Sequence, residues 1–238
     1  MPLEVAAHAG FCMGVRRAVA AAMEVAGGNV PSCTLGALIH NPTVVDMLAA
    51  NGVPAIASPE DAQGRQVLIR SHGVSPDVLN DLRERGCTVL DLTCPFVDRL
   101  HRIVAEGTAD GTPVIMVGER EHPEVKGTCG WAKGDVYVVL NPEEAAALPM
   151  LPKAIAAAQT TFPPDRWEAI VQVLRQRVTE LQEHNTICNA TATRQREARE
   201  LAARADAMIV VGGRISRPFM AGIPRFSASS SSFVRPGL

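Results

Sequence analysis

Short apolar runs alternate with amphipathic stretches along nearly the whole chain. Leu3 to Ala7 predicts a strand, and the stripe Val15, Val19, Ala22, Met23 and Ala26 predicts a helix ended by Gly27-Gly28. Cys33 to Ala37 predicts a second strand, followed by a helix through Val45, Leu48 and Ala49. Gln66 to Arg70 predicts a third, with a helix opened by Ser75-Pro76. Thr88-Val89-Leu90 starts a fourth that runs to Thr93. Pro95 is suited to the first helical position, and Val97, Leu100, Ile103 and Val104 recur after it at helical spacing. Pro113 to Val117 leads into a short helix past His122-Pro123, and Val136 to Leu140 into a helix from Pro142. Ala154 to Ala158 precedes a helix carrying Trp167, Ile170, Val171, Leu174 and Val178 on one face. Thr186-Ile187-Cys188-Asn189 precedes a helix bearing Ala198, Leu201 and Ala205, and Ala207 to Val211 is a last strand before Gly212-Gly213.

Strands that alternate with helices imply parallel α/β architecture. Ligands of such sheets bind beyond the carboxyl ends of the strands, in the loops that enter the helices. Every residue of chemical interest falls in one of those loops.

Composition narrows the function. The 238 residues are 47% apolar and 20% charged with a net charge of −2, so no basic excess points to nucleic acid. No apolar run reaches the roughly 18 residues of a membrane span, and Met1-Pro2-Leu3-Glu4 lacks the features of a signal peptide. Cytoplasm is the expected compartment. Six cysteines in that setting, without CxxC pairs, suggest thiol or metal chemistry rather than disulfides.

Cys12, Cys94 and Cys188 each stand where a strand hands over to a helix, 82 and 94 residues apart. Free N–H groups and the helix dipole favour a thiolate there. Taken singly, each is a metal ligand, a nucleophile or an ordinary buried thiol. Together, three thiolates suit a structural zinc with a fourth ligand, or an iron–sulfur cluster with one iron left open. Cys33, Cys87 and Cys129, in a strand, in a helix-to-strand turn and after a glycine-rich turn, read as buried thiols. His40, His72 and His122 repeat the placement just past a strand. A lone loop histidine is usually a surface residue, but three at matching positions suggest a shared site for an anion such as a diphosphate. Glu124 is either a dipole-stabilising first-turn residue or, beside a metal site, a proton donor. Thr160 and Thr161 either cap the helix at Pro163 or face that site.

The segments Gly10-Phe11-Cys12-Met13-Gly14-Val15, Ile39-His40-Asn41, Arg70-Ser71-His72-Gly73, Asp91 to Pro95, His122-Pro123-Glu124, Gln159-Thr160-Thr161 and Ile187 to Thr191 run in order along most of the chain. In these the chain resembles the 4-hydroxy-3-methylbut-2-enyl diphosphate reductase family of the non-mevalonate isoprenoid route. The resemblance implies a three-lobed cloverleaf of parallel α/β units around a central [4Fe–4S] cluster. Its lobes would span residues 1–95, 96–185 and, for the start of the third, 186–213. It also implies that Cys12, Cys94 and Cys188 ligate three irons and that His40, His72 and His122 line the diphosphate pocket. Thr160 would join the hydroxyl and water network, and Glu124 would deliver the proton with which the hydroxyl leaves. The implied partners are the allylic diphosphate substrate and an electron donor such as ferredoxin or flavodoxin. The implied products are isopentenyl and dimethylallyl diphosphates.

After Gly213 the chain leaves the family pattern, reading Arg214-Ile215-Ser216-Arg217 where the family has Asn-Ser-Ser-Asn. Ser216 is the one residue there that fits a diphosphate contact. Residues 214–238, rich in Ser, Arg and Pro, are expected to form a disordered tail, which leaves the third lobe incomplete. Two other functions compete on these residues: a non-catalytic iron–sulfur remnant and a structural zinc protein.

Overall fold

The computed structural model describes residues 4–210 and 232–234. Helix α1 (Met13–Ala26) precedes strand β1 (Ser32–Leu35), helix α2 (Pro42–Ala50) and the two-residue strand β2 (Ala55–Ile56). A 3₁₀ turn at Pro59–Ala62 leads to β3 (Gln66–Ile69), α3 (Pro76–Glu84), β4 (Thr88–Asp91) and α4 (Pro95–Gly107). The second half runs β5 (Val114–Val117), α5 (Pro123–Cys129), β6 (Val136–Val139), α6 (Pro142–Ala146), β7 (Leu151–Ala158), α7 (Pro164–Arg177) and β8 (Val178–His184). It closes with α8 (Asn189–Arg204) and β9 (Met208–Val210), which pairs antiparallel with β10 (Ser232–Val234).

Two four-stranded sheets form, ordered β2-β1-β3-β4 and β6-β5-β7-β8, and every pairing within them is parallel. The α/β class expected from the alternation is therefore present. Register puts the strand ends level: Leu35 lies opposite Ile69 and Ile69 opposite Asp91. In the second sheet Val117 lies opposite both Val139 and Ala158. Level ends gather the following loops on one rim of each sheet.

The two rims are brought together by α4. It follows β4 of the first sheet, yet its Leu100 and Val104 pack with Val114, Met116, Ile155 and Ala157 of the second. Full burial of such aliphatic side chains contributes about 1.5–3 kcal/mol each. The helix comes close enough that a Cβ at Gly107 would lie 2.8 Å from Ile155 Cδ1. A second join is polar. The N–H groups of Ala7 and His8 donate to Glu197 of α8, Arg194 Nε donates to the His8 carbonyl, and Arg204 pairs with Glu4.

Several expected elements differ. Residues 4–7 form no strand; the Ala7 N–H donates instead to the Glu197 carboxylate, and the Ala6 carbonyl accepts from Ala9 N–H in a local turn. The fourth strand stops at Asp91, whose carboxylate accepts from Thr93 N–H at 2.9 Å and turns the chain before Cys94. Strand β8 was not expected, because its polar Thr179, Glu180, Gln182 and Glu183 lack a strand's apolar signature; it is an edge strand held by pairing to β7. Cys129 closes helix α5 rather than following a glycine-rich turn. Within the tail, Ser232–Val234 pairs with β9, and its other residues lie outside the described ones.

Candidate active site

Cys12, Cys94 and Cys188 are the N-caps of α1, α4 and α8, and none of the three side chains accepts a capping hydrogen bond. Two of them are fixed through the backbone. Cys94 N–H donates to the Ser71 carbonyl at 3.0 Å, and Cys188 N–H to the Thr160 carbonyl at 2.8 Å. Each thus hangs from the loop of the neighbouring strand. The three are close enough to interact: burial pushes the Cys94 thiol upward, and negative charge on Cys12 or Cys188 pushes it further. The N–H groups of Phe96 and Val97 act in the opposite direction. Gly14 lets the start of α1 come close to Cys94, since a Cβ there would stand 2.6 Å from Cys94 Sγ. Sulfur donors at three helix starts fit a soft, thiolate-held metal group such as an iron–sulfur cluster.

His40 and His72 follow β1 and β3, and His122 follows β5 of the other sheet. Their rings nevertheless meet, with centroids 4.3 Å apart for His40–His72 and 5.4 Å for each pair with His122. Burial lowers the pKa of all three, and Arg70 lowers each one further. For His122 the result is about 4. His122 Nδ1 accepts from Glu124 N–H at 3.2 Å, so the neutral ring carries its proton on Nε2. Buried His40 Nε2 and His72 Nδ1 have no partner among the described residues. Ring nitrogens of the three lie within 4.8 Å of one another, a spacing also open to a metal ion, but the Arg70 charge beside them favours an anion.

Glu124, in the first turn of α5, is 2% exposed and so is no ordinary dipole-stabilising surface residue. Thr160 N–H donates to its Oε1 at 2.6 Å, and Thr160 Oγ1 lies 2.7 Å from Oε2. Burial raises its pKa to about 7 against the opposing pull of the Thr160 contacts. The helix-cap alternative for Thr160 and Thr161 does not hold. Helix α7 begins at Pro164 with no side-chain cap, Thr160 engages Glu124, and Thr161 accepts from Gln159 Nε2 at 2.8 Å. Ser216 lies outside the described residues.

A family model described as LytB protein matches residues 3–218. The chain belongs to the LytB protein family. A 4-hydroxy-3-methylbut-2-enyl diphosphate reductase of Caldanaerobacter subterraneus subsp. tengcongensis is 42% identical over 91% of this chain and 77% of its own length. The Geobacter sulfurreducens protein of that name is 42% identical over 90% of this chain and 76% of its own. Among solved structures, the Plasmodium falciparum E-1-hydroxy-2-methyl-but-2-enyl-4-diphosphate reductase superposes with a TM-score of 0.82 at 28% identity. That match covers 89% of this chain and 68% of the other. An (E)-4-hydroxy-3-methyl-but-2-enyl diphosphate reductase structure gives 0.72 at 39% identity, over 90% of this chain and 78% of its own.

In this LytB chain the loop that carries His72 rests on a residue that sequence reading passed over. His101 of α4 is 3% exposed, stacks on Trp131 with ring centroids 5.1 Å apart, and lies under Gly73. Gly73 has φ +69°, and a Cβ there would stand 2.4 Å from His101 Cε1. The clue in sequence was the position of His101, two turns along the helix from Cys94. Gly73→Ala is expected to cost about 2–4 kcal/mol, from left-handed strain plus overpacking against a buried ring. That should show as a lower denaturant midpoint at unchanged slope; an unchanged midpoint would mean that the loop yields freely.

Proposed function

We propose that this chain catalyses the reductive dehydration of 4-hydroxy-3-methylbut-2-enyl diphosphate to isopentenyl and dimethylallyl diphosphates. The observation that carries this reading is the meeting of three imidazoles from two sheets beside a buried, protonatable carboxyl, with three thiols held at helix starts. A [4Fe–4S] cluster held by Cys12, Cys94 and Cys188 would relay two electrons, one at a time, from an external donor and supply Lewis acidity toward the allylic oxygen. The chain's own residues do the rest. His40, His72 and His122 hold the diphosphate by N–H donation, and a bound anion draws protons onto their otherwise neutral rings. Glu124 gives its proton to the hydroxyl so that it leaves as water, and Thr160 keeps that carboxyl aimed. The C–O bond breaks, two electrons enter, and a second proton forms the new allylic C–H bond.

In this reading the two sheets belong to the first two lobes, 1–95 and 96–185, of a cloverleaf whose third begins at 186–213. A small electron-transfer protein of ferredoxin or flavodoxin type would serve as donor. A cytoplasmic setting suits six cysteines that are all free thiols, and among the described residues no helix is long and apolar enough to cross a membrane.

Anaerobic reconstitution tests the reading directly. The expected outcome is about four irons and four sulfides per chain, with substrate-dependent oxidation of a reduced low-potential dye and both five-carbon diphosphates as products. Bound zinc without sulfide would favour the structural-zinc alternative. A full cluster without turnover would favour the non-catalytic remnant.

A further inference from the structure

Arg70 is the first residue beyond β3 and lies two positions before His72. Its Nε is buried and has no hydrogen-bond partner among the described residues. Arg85, Arg102, Arg175, Arg199 and Arg204 all pair with carboxylates, whereas no described carboxylate reaches Arg70. The guanidinium is not there by accident of packing. It lies over Gly36, in the loop after β1, where a Cβ would come 2.6 Å from Nη1 and where φ is +71°. A side chain at position 36 would therefore meet both backbone strain and the guanidinium. The charge so placed is felt by His40, His72 and His122 together, and nothing but desolvation acts on Arg70 itself. A half-buried cation without an anion is an unbalanced arrangement in a protein interior. Balance comes when an anion arrives.

We propose that Arg70 is a substrate-binding residue whose guanidinium, seated in the cradle left by Gly36, supplies the fixed positive charge that holds the diphosphate against the three histidines. The inference rests on the reductase reading above and adds to it the group that neutralises the substrate. Imidazoles that are neutral before binding must first take up protons to balance a diphosphate's charge, whereas a guanidinium is cationic at any working pH and can donate in parallel to two phosphate oxygens.

The test uses the full, cluster-reconstituted chain with two probes, inorganic pyrophosphate by calorimetry and the allylic diphosphate by steady-state kinetics. In Arg70→Gln, pyrophosphate affinity and substrate KM should each weaken by about 10- to 100-fold, the scale of one lost charge-assisted contact. kcat should stay within about threefold and iron content should not change, the signature of lost ground-state binding. Arg70→Lys should recover part of the affinity. Gly36→Ala should imitate Arg70→Gln by displacing the guanidinium. Wild-type pyrophosphate affinity in Arg70→Gln would overturn the proposal while leaving the reductase reading intact. Equal losses of iron and kcat without rescue by Lys would make Arg70 structural and overturn it as well. A wild-type chain that neither turns over nor binds pyrophosphate would overturn both.

Discussion

Cys94→Ser should empty the chain of iron: from about four per chain after reconstitution to below one, with sulfide lost in parallel. Burial pushes the Cys94 thiol upward, so metal binding must displace its proton against desolvation and against two neighbouring sulfurs. The Phe96 and Val97 N–H groups stabilise the thiolate that results. A serine there offers a hard oxygen that stays protonated at neutral pH and cannot replace a soft thiolate. Cys12→Ser and Cys188→Ser should do the same. Cys33→Ser and Cys87→Ser should not, because those thiols lie in the core of the first sheet with Leu35, Val67 and Ile69. Iron retained by Cys94→Ser but lost by Cys33→Ser would reverse the ligand assignment.

The second large effect belongs to Glu124. With a pKa near 7 it is a competent proton donor at neutral pH, where an ordinary carboxyl would already be ionised. Glutamine preserves the shape: its carbonyl accepts from Thr160 N–H and its amide donates to Thr160 Oγ1. Glu124→Gln should therefore keep iron and substrate affinity while losing about 10²-fold or more in turnover. The wild-type rate should fall as pH rises through about 7, and the variant's residual rate should lack that limb. Stability should fall with rising pH as well, over a lower window. A carboxyl raised from 4.5 to about 7 stabilises the fold most below 4.5, loses that contribution between 4.5 and 7, and levels off above. Above pH 7 the buried charge costs up to about 3 kcal/mol, so the glutamine variant should melt higher than wild type at pH 8. At pH 4 the two should melt alike. An unchanged rate constant, or equal melting at pH 8, would return Glu124 to an ordinary helix start.

Much of this arrangement could be read along the chain because a parallel sheet imposes a rule on its loops. Once strand and helix alternate, a cysteine or histidine just past a strand must lie on the rim, and Cys94, His40 and His72 followed from that alone. What could not be read were contacts fixed only by the folded state. Leu3 to Ala7 has a strand's apolar pattern, but residues 4–7 have no neighbouring strand, and the Glu197 carboxylate takes the Ala7 amide. β8 shows the converse, a polar run made a strand by its neighbour. Thr160 reads as a cap next to Pro163; only the approach of α5 to β7 turns it toward Glu124. Arg70 stood inside a recognisable segment, yet nothing local distinguishes an arginine with a carboxylate partner from one without.

The site is ringed by two unlike seams. Where α4 lies on the second sheet, the join is aliphatic and dry, and parting it would expose Leu100, Val104 and Ile155 to water. Where α8 meets residues 4–8, the join is a few solvent-facing hydrogen bonds and ion pairs, screened by water and weakened by salt. The two differ in how easily water replaces them. Salt and water should therefore loosen the α8 seam first and leave the α4 seam closed.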